Sequence, residues 1–294
     1  MEDMMNISII TPVYYGNKYL DKYMKMISRA VQGFVGKDNS VEVILVNDSP
    51  QVMIEYDRSL VSGFEVIVIE NEANIGIHGS RVNGLKKSRG EYVIFLDQDD
   101  CISENCLTTH TDTIKDADVS LGNGILEVGK DRRKIFGNRF SQQFSSRQWA
   151  YVWIRDFIVS PGQCLIRKSS IPEYWKENIL HINGTDDYLL WLLMFNNDII
   201  MKCNYHTIYM HRDTGENYSS DSQKMFESTE EMLSVLENCP VYKKSVLRLI
   251  KRRIYYKKID RKNKKNFAVK SIRNIDILLV NIFYRLVWRG CLVK

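Results

Sequence analysis

The sequence predicts an α/β fold, a mostly parallel central sheet flanked by helices, continued by a helical and basic C-terminal extension. Three observations predict it. Short β-branched runs alternate with amphipathic segments over residues 6–96, the pattern of parallel strands joined by crossover helices. The four runs lead into polar residues at Thr11, Asp48, Asn74 and Asp97. Ligands of parallel sheets bind beyond the carboxyl ends of the strands, so four such ends aimed at one crevice predict a binding site. The last 52 residues are densely basic and have no strand-like alternation.

Each element follows from a local pattern. Asn6–Thr11 is short and β-branched and reads as a strand that Pro12 ends. Leu20–Val31 sets Leu20, Tyr23, Met24, Ile27 and Val31 at helical spacing. Val41–Val46 and Phe64–Ile69 read as the second and third strands. Gly79–Ser88 suits a helix, and Glu91–Leu96 reads as a buried fourth strand. Beyond residue 100, Val119–Val128, Gln163–Arg167 and Ile199–Met210 read as strands, the last with an edge near the site. Asp186–Phe195 opens with two acids and then turns apolar, as a helix N-terminus does. With no internal repeat and no low-complexity linker, residues 1–220 form one domain. Residues 221–294 form the extension, helical over 222–270.

A chain of 294 residues buries a full core. Its composition, 44% hydrophobic and 26% charged, is that of a globular protein. The six cysteines are scattered without a C-x-x-C, which favours reduced thiols in a cytoplasmic setting over disulfides or zinc. The N-terminus is acidic and runs straight into a strand, unlike a signal peptide. The net charge of +5 hides an asymmetry. Residues 243–294 hold 17 Lys/Arg against 2 Asp/Glu, or +15, and residues 1–242 hold 24 against 34, or −10. A basic tail on an acidic body implies an anionic partner for the tail.

Asp97-Gln98-Asp99-Asp100 is the most informative stretch. Three carboxylates in four residues repel one another unless a positive charge sits among them. A hard divalent cation that also holds a diphosphate satisfies this, because Mg²⁺ and Mn²⁺ take oxygen ligands and keep phosphate oxygens as partners. A solvated acidic turn is the alternative for a lone D-x-D, and the neighbouring segments argue against it.

With T-P-V-Y-Y-G-N-K-Y-L (Thr11–Leu20), V-I-L-V-N-D-S (Val43–Ser49), N-I-G-I-H-G-S-R-V-N-G-L (Asn74–Leu85), G-E-Y-V-I-F-L-D-Q-D-D (Gly90–Asp100) and D-D-Y-L-L-W-L (Asp186–Leu192) in this order, the sequence resembles family 2 glycosyltransferases of the GT-A fold, of the type that builds bacterial surface polysaccharides. The resemblance covers roughly residues 6–220. It implies a nucleotide-sugar half over about 1–100 and an acceptor half over about 101–220. It also implies a metal-dependent, inverting transfer from a UDP- or dTDP-sugar to a glycan or lipid-linked glycan.

The resemblance assigns roles residue by residue. Thr11, Pro12 and Tyr14 would form a loop against the nucleotide base, and Asp48 would accept from the pyrimidine N3–H. Asn74, Gly76 and Arg81 would shape the neighbouring loop, with Arg81 either touching the nucleotide or bracing the Asp97 loop. Asp97 would bind the ribose, and Asp99 would be the main ligand of Mn²⁺ or Mg²⁺, with Asp97 close to the ion. His211 would be a further metal ligand or a diphosphate contact, and Asn217–Ser220 part of a loop over the donor. Asp187 would be the general base beside Asp186, which stands where the family has Glu. Two acids at a helix start also serve as charge caps, and both roles can hold together. On the acceptor side, Gln163 would line the pocket, and Trp191 would either pack its helix or stack on a sugar.

In the tail, Ile275–Val293 is apolar but interrupted by Asp276, Arg285 and Arg289, a poor spanning helix and a better interfacial one. Residues 243–294 are therefore expected to lie on the inner membrane face, or else to pack on the body or a partner. Nucleic acid is the third possibility and is not expected. Two rivals remain for the function as a whole. A nucleotidyltransferase acting on a sugar phosphate would need a glycine-rich basic loop after the first strand, which Thr11–Leu20 lacks. A nucleic-acid-binding protein would use the tail alone.

Overall fold

The computed structural model describes residues 5–34, 36, 39–213, 221–257, 269 and 271–292. Four parallel strands form its N-terminal half: β1 (Asn6–Val13), β2 (Ser40–Asn47), β3 (Glu65–Glu70) and β4 (Tyr92–Phe95), in the order β3-β2-β1-β4. The crossovers carry α1 (Asn17–Gln32) and α2 (Gly76–Lys87). The sheet then continues through β8 (Cys164–Arg167), β6 (Val119–Val128), β9 (Met201–Asp213) and the two-residue β5 (Cys101–Ile102). β8 runs antiparallel to both β4 and β6, whereas β9 is parallel to β6. A short β7 (Asp131–Lys134) folds back on the end of β6.

The period-2 alternation of the strands divides the core between two faces. Ile7, Ile9, Val43, Leu45 and Ile94 meet α1 through Leu20, Met24 and Ile27. Ile10, Ile44, Val46, Val93 and Phe95 meet α2 and the later helices. Each aliphatic side chain buried on these faces contributes roughly 1.5–3 kcal/mol. α2 approaches β1 closely because Gly84 has no side chain; a Cβ there would lie 2.4 Å from Ile10 Cγ2.

β1 runs on through Pro12 to Val13, two residues beyond the expected end. The reason is the parity of its hydrogen bonds. Ile10 O accepts from Leu96 N on the β4 side, while Val13 O accepts from Asp48 N on the β2 side. By alternation the Pro12 nitrogen faces the β4 side, past the last β1–β4 pair at Phe95. The missing N–H costs no ladder bond there. β9 is likewise not an edge: it lies between β6 and β5, and it runs three residues past Met210.

The remaining helices include α3 (Cys106–Ile114), α4 (Arg139–Ser145), α5 (Gln148–Trp153), α6 (Glu173–Glu177) and α7 (Asp186–Asn196). Of these, α3 joins α1 on the first face, through Cys106, Leu107 and Ile114, and the others cover the second. The extension forms α8 (Ser222–Asn238), α9 (Lys244–Lys257) and α10 (Ile275–Leu292). Met232, Leu233, Leu236 and Ile250 of α8 and α9 are buried in the same core as Trp175 and Trp191. α10 has two apolar sides. Ile277 is fully buried, and the Tyr284 ring lies 5.8 Å from that of Phe157. Ile275, Leu279, Ile282 and Phe283 are 43–58% exposed. Asn217–Ser220, expected to cover the donor, and the basic run at 258–268 lie outside the described residues.

Candidate functional site

The carboxyl ends of β1–β4 meet in one crevice, and hydrogen bonds between their loops hold it together. Asp48, just after β2, is 4% exposed. Its Oδ1 accepts from Asn71 Nδ2 (2.9 Å) and Ile75 N (2.8 Å), and its Oδ2 accepts from Gly76 N (3.0 Å). Asn74 Oδ1 also accepts from Gly76 N, at 3.0 Å. Gly76 has φ +81°, a left-handed backbone that favours glycine, and a Cβ there would lie 2.9 Å from Asn183 Oδ1.

The β1–α1 loop is tied to the acidic loop by Gln98. Gln98 Oε1 accepts from Tyr14 N at 3.0 Å, and Gln98 Nε2 donates to Tyr14 O at 3.2 Å. Tyr14 is 52% exposed at the mouth of the crevice, and Pro12 is half-buried. Thr11 departs from expectation: its side chain is fully buried and shares a hydrogen bond with Tyr23 Oη at 2.5 Å. It anchors the loop from beneath and does not face a base, because the strand turns that side chain into the α1 core.

Arg81 joins the two halves of the site. Its Nη2 donates to Asp97 Oδ1 and its Nη1 to Asp186 Oδ2, both at 2.7 Å, with a side chain only 3% exposed. Burial alone lowers the pKa of a guanidinium, but Asp186, Asp97 and Asp187 outweigh it and hold the proton more tightly than usual. A planar fork reaches two carboxylates at once, which an ammonium cannot do with fixed geometry. The other Asp97 oxygen accepts from Ser160 Oγ at 3.1 Å, so the loop before β8 is also bound to the acidic turn.

The other acids of the motif differ in environment. Asp99 is partly exposed, and its carboxyl is pushed up to about 6 by burial and by the charges of Asp100 and Asp97. Asp100 is buried; Oδ2 accepts from Tyr209 Oη, and Oδ1 lies 2.9 Å from His211 Nδ1. Burial opposes the charged imidazolium, but the bond to Asp100 and the surrounding acids raise the His211 pKa overall. A carboxylate on one ring nitrogen orients the other toward a metal, which is the usual support of a metal-bound histidine.

Whether these residues fit a divalent cation follows from that chemistry. Among the described residues, no group of three His, Cys, Asp or Glu side chains is gathered to hold a metal alone. Mg²⁺ and Mn²⁺ suit such a site, because they keep water and phosphate oxygens as ligands and need few carboxylates from the protein. Repulsion among Asp97, Asp99 and Asp100, which raises Asp99, is what a cation would relieve. The donor set therefore fits.

The other half of the site is built around the start of α7. Asp186 is 3% exposed, paired with Arg81, and its backbone carbonyl accepts from Trp175 Nε1 at 2.9 Å. Asp187 is partly exposed, and its Oδ1 accepts from Tyr188 N at 2.7 Å. Burial and the like charges of Asp156 and Asp186 push its carboxyl well above the usual range, with Arg81 opposing. Asp187 thus holds a proton more strongly than an ordinary aspartate while keeping contact with solvent.

Two acceptor assignments do not survive. Gln163 is fully buried, with Oε1 accepting from Val159 N and Nε2 donating to Gly122 O. Its amide shapes the loop before β8 and lines no pocket. Trp191 is also fully buried, on the inner side of α7, so it packs the helix and cannot stack on a sugar. Two contributors carry no signal of their own in the sequence: Gln98 and Ser160. Gln98 stands inside the acidic motif, and Ser160 lies three residues before Gln163, so both are neighbours of residues the sequence singles out.

The model of glycosyl transferase family 2 matches residues 8–175, more than half of the chain. Among curated proteins, "Glycosyltransferase GlyG" of Streptococcus pneumoniae is 29% identical over 124 residues, covering 40% of this chain and 38% of that protein. "Minor teichoic acid biosynthesis protein GgaB" of Bacillus subtilis is 34% identical over 104 residues, 34% of this chain and 11% of that protein. The poly(ribitol-phosphate) beta-N-acetylglucosaminyltransferase TarS of Staphylococcus aureus is 31% identical over 120 residues, 39% of this chain and 18% of that protein. The chain thus spans well under half the length of these relatives. The crystal structure of TarS residues 1–349 with UDP-GlcNAc superposes with a TM-score of 0.61 at 17% identity, covering 90% of this chain and 79% of that one. That likeness establishes the fold, which is GT-A. By sequence and architecture together, the chain belongs to glycosyl transferase family 2.

Proposed function

We propose that the protein is a metal-dependent, inverting glycosyltransferase. It moves a sugar from a UDP- or dTDP-sugar to a glycan or lipid-linked glycan in surface-polysaccharide synthesis. The observation that carries this reading is the Arg81 fork, which sets the acidic loop after β4 against the first turn of α7. A donor's diphosphate would lie on one side of it and an attacking hydroxyl on the other. The solved TarS structures with UDP and UDP-GlcNAc support a nucleotide-sugar donor.

Asp99 and His211 would hold Mn²⁺ or Mg²⁺, with Asp97 beside it and Asp100 orienting His211 through Nδ1. Bound there, the cation supplies Lewis-acid stabilisation of the departing diphosphate. Tyr14 and Pro12 offer an apolar wall to the base, and Asp48 accepts from the pyrimidine N3–H. Asp97 binds the ribose, and the Asn74–Gly76 turn shapes the crevice. Asp187 removes the acceptor hydroxyl proton as that oxygen attacks the anomeric carbon. The bond to the diphosphate oxygen breaks with its electron pair leaving on the nucleotide, and the anomeric configuration inverts. Asp186 keeps Arg81 in place and does not touch the substrate.

Calorimetry with UDP, dTDP, CDP and GDP, each with and without Mn²⁺, tests the donor site. Binding of UDP or dTDP alone, dependent on Mn²⁺ and lost in Asp99→Ala, is the expected result. Equal binding of all four nucleotides, or binding indifferent to Mn²⁺, would overturn it.

The protein is further proposed to work at the cytoplasmic face of the membrane, touching it from one side. No helix among the described residues is long and apolar enough to cross a bilayer. The outward side of α10 presents Ile275, Leu279, Ile282 and Phe283, and the chain before it is rich in Lys and Arg. Apolar insertion beside basic residues suits an anionic surface. Co-sedimentation with vesicles containing phosphatidylglycerol, weak with phosphatidylcholine alone and reduced by Leu279→Glu/Phe283→Glu, is expected. Unchanged binding by that variant would exclude this side of α10.

A further inference from the structure

We propose that Ser228 and Glu231, on the first helix of the C-terminal extension, are positioning residues for the transfer. They fix the turn of residues 180–185 and, through it, the direction of the Asp187 carboxylate. The inference rests on the reading of Asp187 as the base.

Residues 178–185, between α6 and α7, belong to no helix or strand. Such a segment takes its shape from the partners its backbone groups find. Glu231 provides two of them: Oε1 accepts from His181 N and Oε2 from Ile182 N, each at 2.9 Å. Ser228 provides the next: its side chain is fully buried, and Oγ donates to Ile182 O at 2.9 Å. Ser228 and Glu231 stand three residues apart on α8, so one side of that helix holds the turn.

The same contact changes how α7 begins. Thr185 is the N-cap of α7, and a threonine there ordinarily accepts from an amide of the first turn. Instead Thr185 Oγ1 donates to Ser228 O at 2.9 Å and lies 2.8 Å from Ser228 Oγ, and its side chain makes no capping bond. The amide of Tyr188, which a capping threonine would serve, donates to Asp187 Oδ1 at 2.7 Å. By drawing Thr185 to itself, α8 leaves that amide to the base. Oδ1 is then the fixed oxygen of Asp187, and Oδ2 is the one turned to the proton it takes.

The other side of the turn touches the donor half. Asn183 Oδ1 accepts from Ile77 N at 3.0 Å, and His78 Nδ1 accepts from Leu180 N at 2.9 Å. The donor crevice nevertheless has anchors of its own, because Asp48 holds Asn71, Ile75 and Gly76 without help from α8. Loosening α8 therefore moves the base and spares the nucleotide. The match to the family model ends at residue 175, so both the turn and α8 lie past it.

The test is UDP release from UDP-GlcNAc in Mn²⁺ by the full chain, beside calorimetric binding of UDP. Ser228→Ala and Glu231→Ala are each expected to lower kcat by about tenfold or more, as a small misplacement of a catalytic group does, with UDP affinity unchanged. Glu231→Gln keeps an acceptor oxygen for one of the two amides, so its kcat falls between those of Glu231→Ala and the unmodified chain. Leu236→Ala is the control: it removes buried packing two turns further along α8 and lowers the melting temperature, but leaves kcat as it was. Normal kcat in both alanine variants, or an equal fall in Leu236→Ala, overturns the proposal. Hydrogen exchange of the His181 and Ile182 amides needs no substrate and decides where turnover is too slow to follow. Exchange about tenfold faster in Glu231→Ala than in Leu236→Ala is expected, and equal rates overturn the proposal. Failure of the base reading is seen separately, as normal turnover by Asp187→Asn, and leaves the exchange result standing.

Discussion

Arg81→Met is expected to lower the melting temperature by roughly 10 °C. Arg81 is 3% exposed and pairs at 2.7 Å with Asp97 on one side and Asp186 on the other. Removing one member of a buried ion pair costs about 3–5 kcal/mol, because the partner stays buried and uncompensated. In a chain of this size, each kcal/mol moves the midpoint by roughly 2–4 °C. Arg81→Lys keeps a charge but not the fork, so it should recover only part of the loss. Adding Asp186→Asn to Arg81→Met should recover more, because it removes the acid left without a partner. Differential scanning calorimetry reads all three. A melting point of Arg81→Met within about 2 °C of the unmodified protein, against the roughly 10 °C expected from these increments, would mean that the fork adds nothing to stability.

Asp187→Asn is expected to bind UDP and Mn²⁺ as before while transfer falls by about 10²–10⁴-fold, the usual contribution of a general base. The substitution is isosteric, and an amide still accepts from Tyr188 N, as the carboxylate does at 2.7 Å. It removes only the basic electron pair. The loss should therefore appear in kcat, with donor affinity unchanged. Asp186→Asn behaves differently: it strips Arg81 of a partner, so stability drops along with activity. Unimpaired transfer by Asp187→Asn would end its assignment as base.

The legible part of this protein lay where a local pattern has one physical cause. Strands β1, β2 and β4 announced themselves because parallel strands covered on both faces are continuous apolar runs. Their ends were legible because a parallel sheet gathers polar residues there. The acids at 97, 99, 100, 186 and 187 stood out as clusters that need either compensation or a ligand. Thr11 and Gln163 misled, and Trp191 stayed open between packing and stacking, because a residue at a strand end or on a helix can face either way. One step of backbone parity, or one turn of helix, decides between crevice and core.

The sequence by itself determined the strands and crossover helices of residues 6–96, the acidic loop after β4, the paired acids that open α7 and the charge division between body and tail. Each of these is written in residues close together along the chain. Only the tertiary structure decided that Arg81 would join Asp97 to Asp186, 105 residues away from it, and that Gln98 would hold the Tyr14 loop. It also decided that Arg253, in the basic extension, would reach Tyr188 beside the proposed base. Such contacts span long stretches of sequence. They arise because burying a charge forces it to find a partner, wherever the fold places one.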